Sequence, residues 1–153
     1  MSDQEKSIKK LNELLEKSYD AKKGYTEAID DIKDPALQNY FREKAAKRTA
    51  FAGELSNEIR TLGGEPKTSG STAGNLHRVW MDLKSSISGN SEEAILKECI
   101  RGDKKSLENY NEVLENEHVA ESSKTIVRKE KTNIEETLAR IKTMEDVREN
   151  YSY

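Results

Sequence analysis

The sequence has few residues that interrupt or cross-link a chain. Its 153 residues include two prolines, eight glycines and one cysteine. A single cysteine cannot form a disulfide within the chain, and scarce prolines permit long helices. No apolar run approaches the roughly 18 residues that a membrane-spanning helix needs. The N-terminal stretch MSDQEKSIKK lacks the apolar core of a secretory signal, so we expect a cytoplasmic protein with no membrane association.

The sequence also lacks a strong excess of either charge. Lysine and arginine number 26 against 29 aspartates and glutamates, which gives a net charge of −3. No basic stripe is interleaved with aromatic residues, so we expect no nucleic-acid partner. Charged residues make up 36% and hydrophobic residues 33% of the chain. This composition is typical of long helices whose outer faces carry glutamate, lysine and arginine.

Apolar residues recur with helical spacing in five segments. The pattern predicts helices over about residues 5–32, 36–62, 74–87, 92–116 and 121–147. Residues after 147 are expected to be frayed. We predict a single all-α domain over residues 1–153, in which two antiparallel hairpins form a four-helix bundle. The long link between the hairpins, with its short extra helix, is typical of a crossover connection.

Local signals mark both ends of the second helix. Asp34 is suited to cap its N-terminus, and Pro35 suits its first turn. Gly63 and Gly64 follow the last apolar residue, and Pro66 follows them. This order of residues predicts that the helix stops there.

Polar side chains interrupt the apolar lines of the four long helices. These residues are Ser18, Arg48, Asp103 and Glu130, with Lys131 beside the last. Because an unpaired buried charge is costly, Arg48 must either pair with a carboxylate or extend its stem to solvent. Both alternatives remain open from the sequence, and the pairing hypothesis names Asp103 or Glu130 as the acid. Two inward-facing tyrosines complete this candidate binding layer, which comprises Ser18, Tyr25, Arg48, Asp103, Tyr110 and Glu130.

Three segments resemble a bacterial domain family of unknown function. They are LGGEP after the second helix, AGNLHRVWMDLKSSISG, and AILKECIRGDKKSLENY. The most distinctive piece is AGxLHRxWMD over residues 73–82. The resemblance covers roughly residues 8–145. It implies a ferritin-like four-helix bundle and supplies no known activity.

Ferritin-like metal proteins hold their metal ions with glutamates and Glu-x-x-His pairs on the bundle helices. Counting back from Leu62 in the LGGEP ending places one such pair at Arg48 and Phe51. A guanidinium and a phenyl ring cannot bind iron, so we predict no standard di-iron centre, no metal ligands and no cofactor. The alternative is an iron or manganese protein with atypical carboxylate ligands, such as Glu54, Glu98, Asp103 and Glu130.

Few other residues suggest chemistry. Glu115-x-x-His118 occurs once, at the end of a helix, and His118 is expected to be an exposed loop residue. His77 is expected to cap a helix or pack beside Trp80. Cys99 lies on an apolar helix face, which predicts a buried, inert thiol; a reactive thiol is the alternative.

These patterns favour a non-catalytic helical bundle that serves as a scaffold or partner-binding module. No nucleophile–base pair and no glycine-rich phosphate loop is recognisable, so no catalytic residue is assigned. An exposed apolar patch or a symmetric self-contact involving Trp80 would serve such a role, and a homo-oligomer is possible. The metal-binding protein with atypical ligands is the alternative function. A small-ligand pocket at the polar layer is a third hypothesis.

Overall fold

Long helices account for most of the chain. A computed structural model describes residues 1–71 and 91–152. Five helices lie in these ranges: α1 (Asp3–Ile29), α2 (Pro35–Thr61), α3 (Ser91–Leu114), α4 (Glu121–Arg140) and α5 (Met144–Tyr151). The same two ranges contain no strand, and no helix in them has the length and apolarity that a membrane crossing requires. The helix predicted over 74–87 lies outside the described residues.

The first hairpin begins and turns at capped helix ends. The Ser2 hydroxyl accepts a hydrogen bond from the Glu5 amide at 3.1 Å, and the two residues form a capping box. At the start of α2, an Asp34 carboxylate oxygen accepts hydrogen bonds from the amides of Ala36 and Leu37 at 2.9 and 3.3 Å. The predicted Asp34 cap is therefore confirmed.

Glycine closes α2 at its other end. Gly63 has a φ of 87°, in the left-handed region where a side chain would be strained. The amide of Gly64 donates to the carbonyl of Ile59 at 2.8 Å, and the Gly63 amide donates to Arg60 at 2.9 Å. The predicted stop of this helix is confirmed, with α2 ending at Thr61.

The segment after α2 is fastened along one face of α1. The Asn12 side chain accepts a hydrogen bond from the Lys67 amide at 2.9 Å. One turn further, Glu16 pairs with the Lys67 ammonium at 2.6 Å. Another turn on, Asp20 accepts hydrogen bonds from the Ser71 amide and hydroxyl at 2.9 and 2.8 Å. Four-residue spacing places the three α1 side chains on one helix face, so the segment runs back along α1.

Two apolar clusters fill the interior, and they fix the directions of the helices. The Phe41 core includes Tyr25, Leu37, Tyr40, Phe41, Ile95, Leu96, Cys99, Ile141 and Val147. The Phe51 core includes Leu11, Leu15, Phe51, Leu55, Ile59, Tyr110, Val113, Val127 and Ile134. The beginnings of α2 and α3 share the first cluster and their later turns share the second, so these two helices run parallel. α1 contributes to the Phe51 core near its beginning and to the Phe41 core near its end, so it runs in the opposite direction. α4 also runs in that direction, because it packs in the Phe51 core and Ile141, just after its end, lies in the Phe41 core.

The prediction of one continuous helix over residues 121–147 is wrong. Ile141 adopts an extended conformation, with φ −114° and ψ 104°, and α5 starts afresh after it. The Thr143 hydroxyl accepts a hydrogen bond from the Asp146 amide at 3.2 Å, and the Asp146 carboxylate accepts one from the Thr143 amide at 3.1 Å. This capping box begins a new helix where apolar spacing alone suggested continuation.

The expected fraying after residue 147 is also wrong, because α5 extends to Tyr151. The Tyr151 side chain is buried, and its ring centroid lies 5.1 Å from that of Tyr40. Its hydroxyl donates a hydrogen bond to Glu43 and accepts one from Arg140 at 2.9 Å. These tertiary contacts hold the last helix in place.

Candidate functional site

A buried ion pair separates the Phe41 core from the Phe51 core. Arg48 is 4% exposed and Asp103 is fully buried. Nη2 of Arg48 lies 3.2 Å from Oδ1 of Asp103, which joins the middle of α2 to the middle of α3. The structure therefore contains the ion pair that the sequence left open as one of two alternatives. The alternative in which Arg48 extends into water does not hold.

Lys44 also belongs to this site, although the apolar pattern of the sequence did not indicate it. Its ammonium contacts Oδ2 of Asp103, and its side chain is buried. The same ammonium lies 5.6 Å from the ring centroid of Tyr25 and 5.5 Å from that of Tyr40, within the range of a cation–π contact. The available signal was the four-residue spacing of Tyr40, Lys44 and Arg48 on one helix face. Lys44, Arg48 and Asp103 are called the ion cluster below.

Hydroxyl groups are further hydrogen-bond partners of Arg48 and Asp103 in the ion cluster. Nη1 of Arg48 donates to the Tyr110 hydroxyl at 2.6 Å, and Nη2 donates to the Ser106 hydroxyl at 3.0 Å. The Tyr25 hydroxyl donates to Oδ1 of Asp103 at 3.2 Å. Charge-assisted hydrogen bonds of this kind offset the cost of removing the ions from water. Tyr25 and Tyr110 thus both lie at the polar layer that the sequence suggested.

The side chains of two residues of the expected layer form no hydrogen bond or ion pair with the ion cluster. Ser18 is buried, but its hydroxyl donates to the Leu14 carbonyl of its own helix at 3.0 Å. Glu130 is 6% exposed and makes no hydrogen bond or ion pair with any residue of the described ranges. The acid that pairs with Arg48 is therefore Asp103.

A small opening reaches the surface beside Glu130. Its free space fits about one water molecule, which is too little for an organic ligand. This opening therefore does not support the small-ligand hypothesis. Its walls come from α2 and α4, and they comprise Glu43, Lys44, Lys47, Arg48, Glu130, Asn133, Ile134 and Thr137.

Burial shifts several proton equilibria around the ion cluster. Removal from water raises the pKa of Tyr110 and of Cys99 to about 12 each, and raises the pKa of Tyr25 well above its usual value. Burial by itself would lower the pKa of Arg48, but Tyr110, Tyr25 and Asp103 outweigh it and raise that pKa. At neutral pH the guanidinium is charged and the phenols and the thiol are neutral. Cys99 is therefore buried and protonated, as expected for an inert thiol.

The ion cluster does not fit a metal ion. Two cationic side chains, Lys44 and Arg48, would repel a divalent cation at this position. They also engage both carboxylate oxygens of Asp103, so neither oxygen is open to a metal. The residues that meet here form a closed salt bridge rather than a set of ligands.

The carboxylates named as atypical ligands do not converge either. Glu54 pairs with Lys129 at 2.9 Å, and Glu98 pairs with Arg101 on the same helix. Within residues 1–71 and 91–152, no three or more histidine, cysteine, aspartate and glutamate side chains are grouped to hold a metal ion.

The sequence of the first three described helices decides the family. The model of the family described as Domain of unknown function (DUF2383) matches residues 6–116. The chain belongs to the DUF2383 family. This agrees with the resemblance to a domain family of unknown function. The match includes all three residues of the ion cluster and ends before α4. Among curated proteins, none matches this chain.

The Glu115-x-x-His118 match in the DUF2383 chain forms no ligand pair. α3 ends at Leu114, and His118 lies in the turn that follows it. Its Nδ1 is 3.0 Å from Oδ1 of Asp3, and its Nε2 is 3.5 Å from Oε1 of Glu117. His118 is a partly exposed loop residue, close to the prediction.

The described surface offers little apolar area for a partner. Met1 is the one large apolar side chain that is exposed within residues 1–71 and 91–152. An apolar patch of the kind expected from the sequence is therefore not present on this part of the chain. His77, Trp80 and the AGxLHRxWMD motif lie outside the described residues.

Proposed function

We propose that this DUF2383 chain is a ferritin-like four-helix bundle that works without a metal centre. Its role is that of a non-catalytic, cytoplasmic scaffold or partner-binding module. The observation that carries the proposal is the ion cluster in the middle of the bundle. By the count from the LGGEP ending, Arg48 of this cluster lies at a position where the resemblance implies a metal ligand in ferritin-like proteins.

The parallel course of α2 and α3 supports the ferritin-like topology. In an up-down-up-down bundle, consecutive helices run antiparallel and short loops join them. Here the beginnings of both helices contribute to the Phe41 core, so α2 and α3 run parallel instead. Lys67 and Ser71, which follow α2, contact α1 rather than leading directly into an antiparallel helix.

A structural role for the ion cluster supports the non-catalytic function. Asp103 is held by Lys44, Arg48 and Tyr25, so its carboxylate is not poised as a base or nucleophile. The neighbouring Cys99 thiol is protonated at neutral pH because burial raises its pKa to about 12. Buried ionic networks in other helical proteins specify which helices pair and in which register, and that role fits this cluster.

Elemental analysis tests the metal-free proposal. Protein purified without chelators, and protein incubated with Fe²⁺ or Mn²⁺ and then desalted, should each contain far less than one metal ion per chain. A Glu54→Gln/Glu98→Gln double variant is the control for metal held weakly by acids outside the ion cluster. One or more tightly bound iron or manganese ions per chain would reject the proposal in favour of the metal-binding alternative.

Self-association is the form of partner binding that the sequence suggests most directly. The sequence names Trp80 for such a self-contact, and this stays a prediction for a residue outside the described ranges. Sedimentation velocity over a range of concentrations should show a concentration-dependent mass. A Trp80→Ala variant should remain monomeric with unchanged helical content. A wild-type protein that is monomeric throughout would remove the homo-oligomer from the proposal.

A further inference from the structure

Glu130 is a buried carboxylate that forms no ion pair with the ion cluster. It lies on α4, where it faces α2 across the small opening, and it has no hydrogen-bond or ion-pair partner among the described residues. A buried carboxylate without hydrogen bonds is costly in its charged form. The opening gives it one route to water, with room for about one molecule.

The charges around Glu130 affect its protonation. Taken as ions, Lys44 and Arg48 carry two positive charges and Asp103 carries one negative charge, which leaves an excess of one positive charge. An ionised Glu130 would balance that excess, and a protonated Glu130 would not. Burial raises the pKa of Glu130, although the attraction of Arg48 and Lys44 opposes this rise.

Other charged groups face Glu130 from the packed helices, and they already have partners. On α2, Glu43 accepts a hydrogen bond from the Tyr151 hydroxyl and lies 4.0 Å from the Lys47 ammonium. Glu54, also on α2, is paired with Lys129 of α4 at 2.9 Å. From α3, Tyr110 presents a neutral hydroxyl, because burial raises its pKa.

We propose that Glu130 is a proton-controlled switch between α2 and α4, whose ionisation draws water through the opening and loosens α4 against α2. In the protonated state, α4 packs against α2 without a buried, unpaired carboxylate. In the ionised state, the single water position in the opening leaves the carboxylate short of hydrogen bonds, and an outward movement of α4 admits more water. Protonation of Glu130 thus determines how tightly α4 packs against α2.

The direction of the pH effect follows from the raised folded-state pKa. The packed state binds the proton more tightly than a state in which α4 is open. The contribution of Glu130 to packing is therefore fully present below the pKa of the open state, and it is lost as pH rises through the pKa of the packed state. Each unit of difference between the pKa values of Glu130 in the packed and open states changes the equilibrium constant for opening of α4 about tenfold.

Hydrogen exchange of α4 amides tests this proposal. Labelling times are scaled at each pH to match intrinsic exchange, and the wild type is compared with Glu130→Gln. Wild-type α4 should lose protection as pH rises, about tenfold per unit of pKa difference. Glu130→Gln should keep its protection at all pH values. Glu135→Gln changes an exposed residue of the same helix and should follow the wild type.

Two results would overturn the proposal. One is an equal pH dependence of α4 protection in the wild type and in Glu130→Gln. The other is a carbon-13 NMR titration in which the wild-type Glu130 carboxyl titrates near 4.3, about the value of an exposed glutamate. The titration needs no substitution, so it decides the question even if Glu130→Gln fails to fold.

Discussion

Arg48 and Asp103 join α2 to α3 through a 3.2 Å contact between Nη2 and Oδ1, and both side chains are buried. Lys44 contacts the other oxygen of the same carboxylate. Two cations therefore share a single anion at the boundary between the two apolar cores. This ratio makes Asp103 the residue on which the ion cluster depends most.

Replacing Asp103 by asparagine should destabilise the protein more than replacing Arg48 by methionine. Asp103→Asn leaves two buried cations without a counter-charge, whereas Arg48→Met retains the pair of Lys44 with Asp103. Breaking a buried ion pair costs about 3–5 kcal/mol, and we expect Asp103→Asn at the upper end and Arg48→Met at the lower end. Urea-induced unfolding measures both.

The exposed pair of Lys129 with Glu54 provides the control for these variants. Lys129→Met should change the free energy of unfolding far less than Arg48→Met, because the pair is solvated. If Arg48→Met proved as damaging as Asp103→Asn, the sharing of one carboxylate by two cations would not describe the folded protein in solution.

Removing all three charges together should restore much of the lost stability. In the variant Lys44→Met/Arg48→Met/Asp103→Leu, no buried ion is left without a partner, and the new side chains can pack between the two apolar cores. Such replacements are often neutral or stabilising by about 1–4 kcal/mol. We expect the triple variant to be more stable than Asp103→Asn in urea unfolding. A triple variant that is less stable than Asp103→Asn would show that packing, not charge balance, governs this layer.

Two glycines should respond in opposite ways to substitution by alanine. A Cβ at Gly53 would meet no atom within 4 Å, so Gly53→Ala should stabilise α2 by about 0.4–1 kcal/mol. A Cβ at Gly64 would lie 2.7 Å from Cγ2 of Ile8, and Gly64→Ala should cost about 1–3 kcal/mol. Thermal unfolding distinguishes the two. The cost at Gly64 should largely disappear in an Ile8→Ala background, and its persistence there would contradict the steric explanation.

The aromatic ring of Tyr151 should contribute more to stability than its hydroxyl. Tyr151→Phe loses the hydrogen bonds with Glu43 and Arg140, at a cost of about 1–3 kcal/mol. Tyr151→Ala also loses the contact with Tyr40 and should cost about 3–5 kcal/mol. Denaturant unfolding checks the order. Ser152→Ala, at the exposed next residue, should be neutral, and an equally neutral Tyr151→Ala would mean that the C-terminal segment is frayed in solution.

Part of the candidate site could be predicted, because a polar residue that interrupts the apolar pattern of a helix is recognisable from the sequence of that helix alone. Arg48 and Asp103 each interrupt such a line, and Tyr25 and Tyr110 continue theirs. The pattern did not indicate Lys44, because its neighbour Ala45 fits the apolar spacing of α2. A lysine beside an apolar line is normally a solvated side chain, and only the packing of α1 and α3 over α2 removes this one from water.

The sequence by itself determined the positions of α1, α2 and α3, the Asp34 cap, the glycine stop at Gly63 and the presence of a polar layer. These features depend on residues within a few turns of one another. The fold decided that Arg48 pairs with Asp103 rather than with Glu130, that Lys44 joins them, and that Tyr151 is held in place. Which charges meet depends on the rotation and register of one helix against another. Contacts between residues far apart in the chain set those quantities, and no local pattern encodes them.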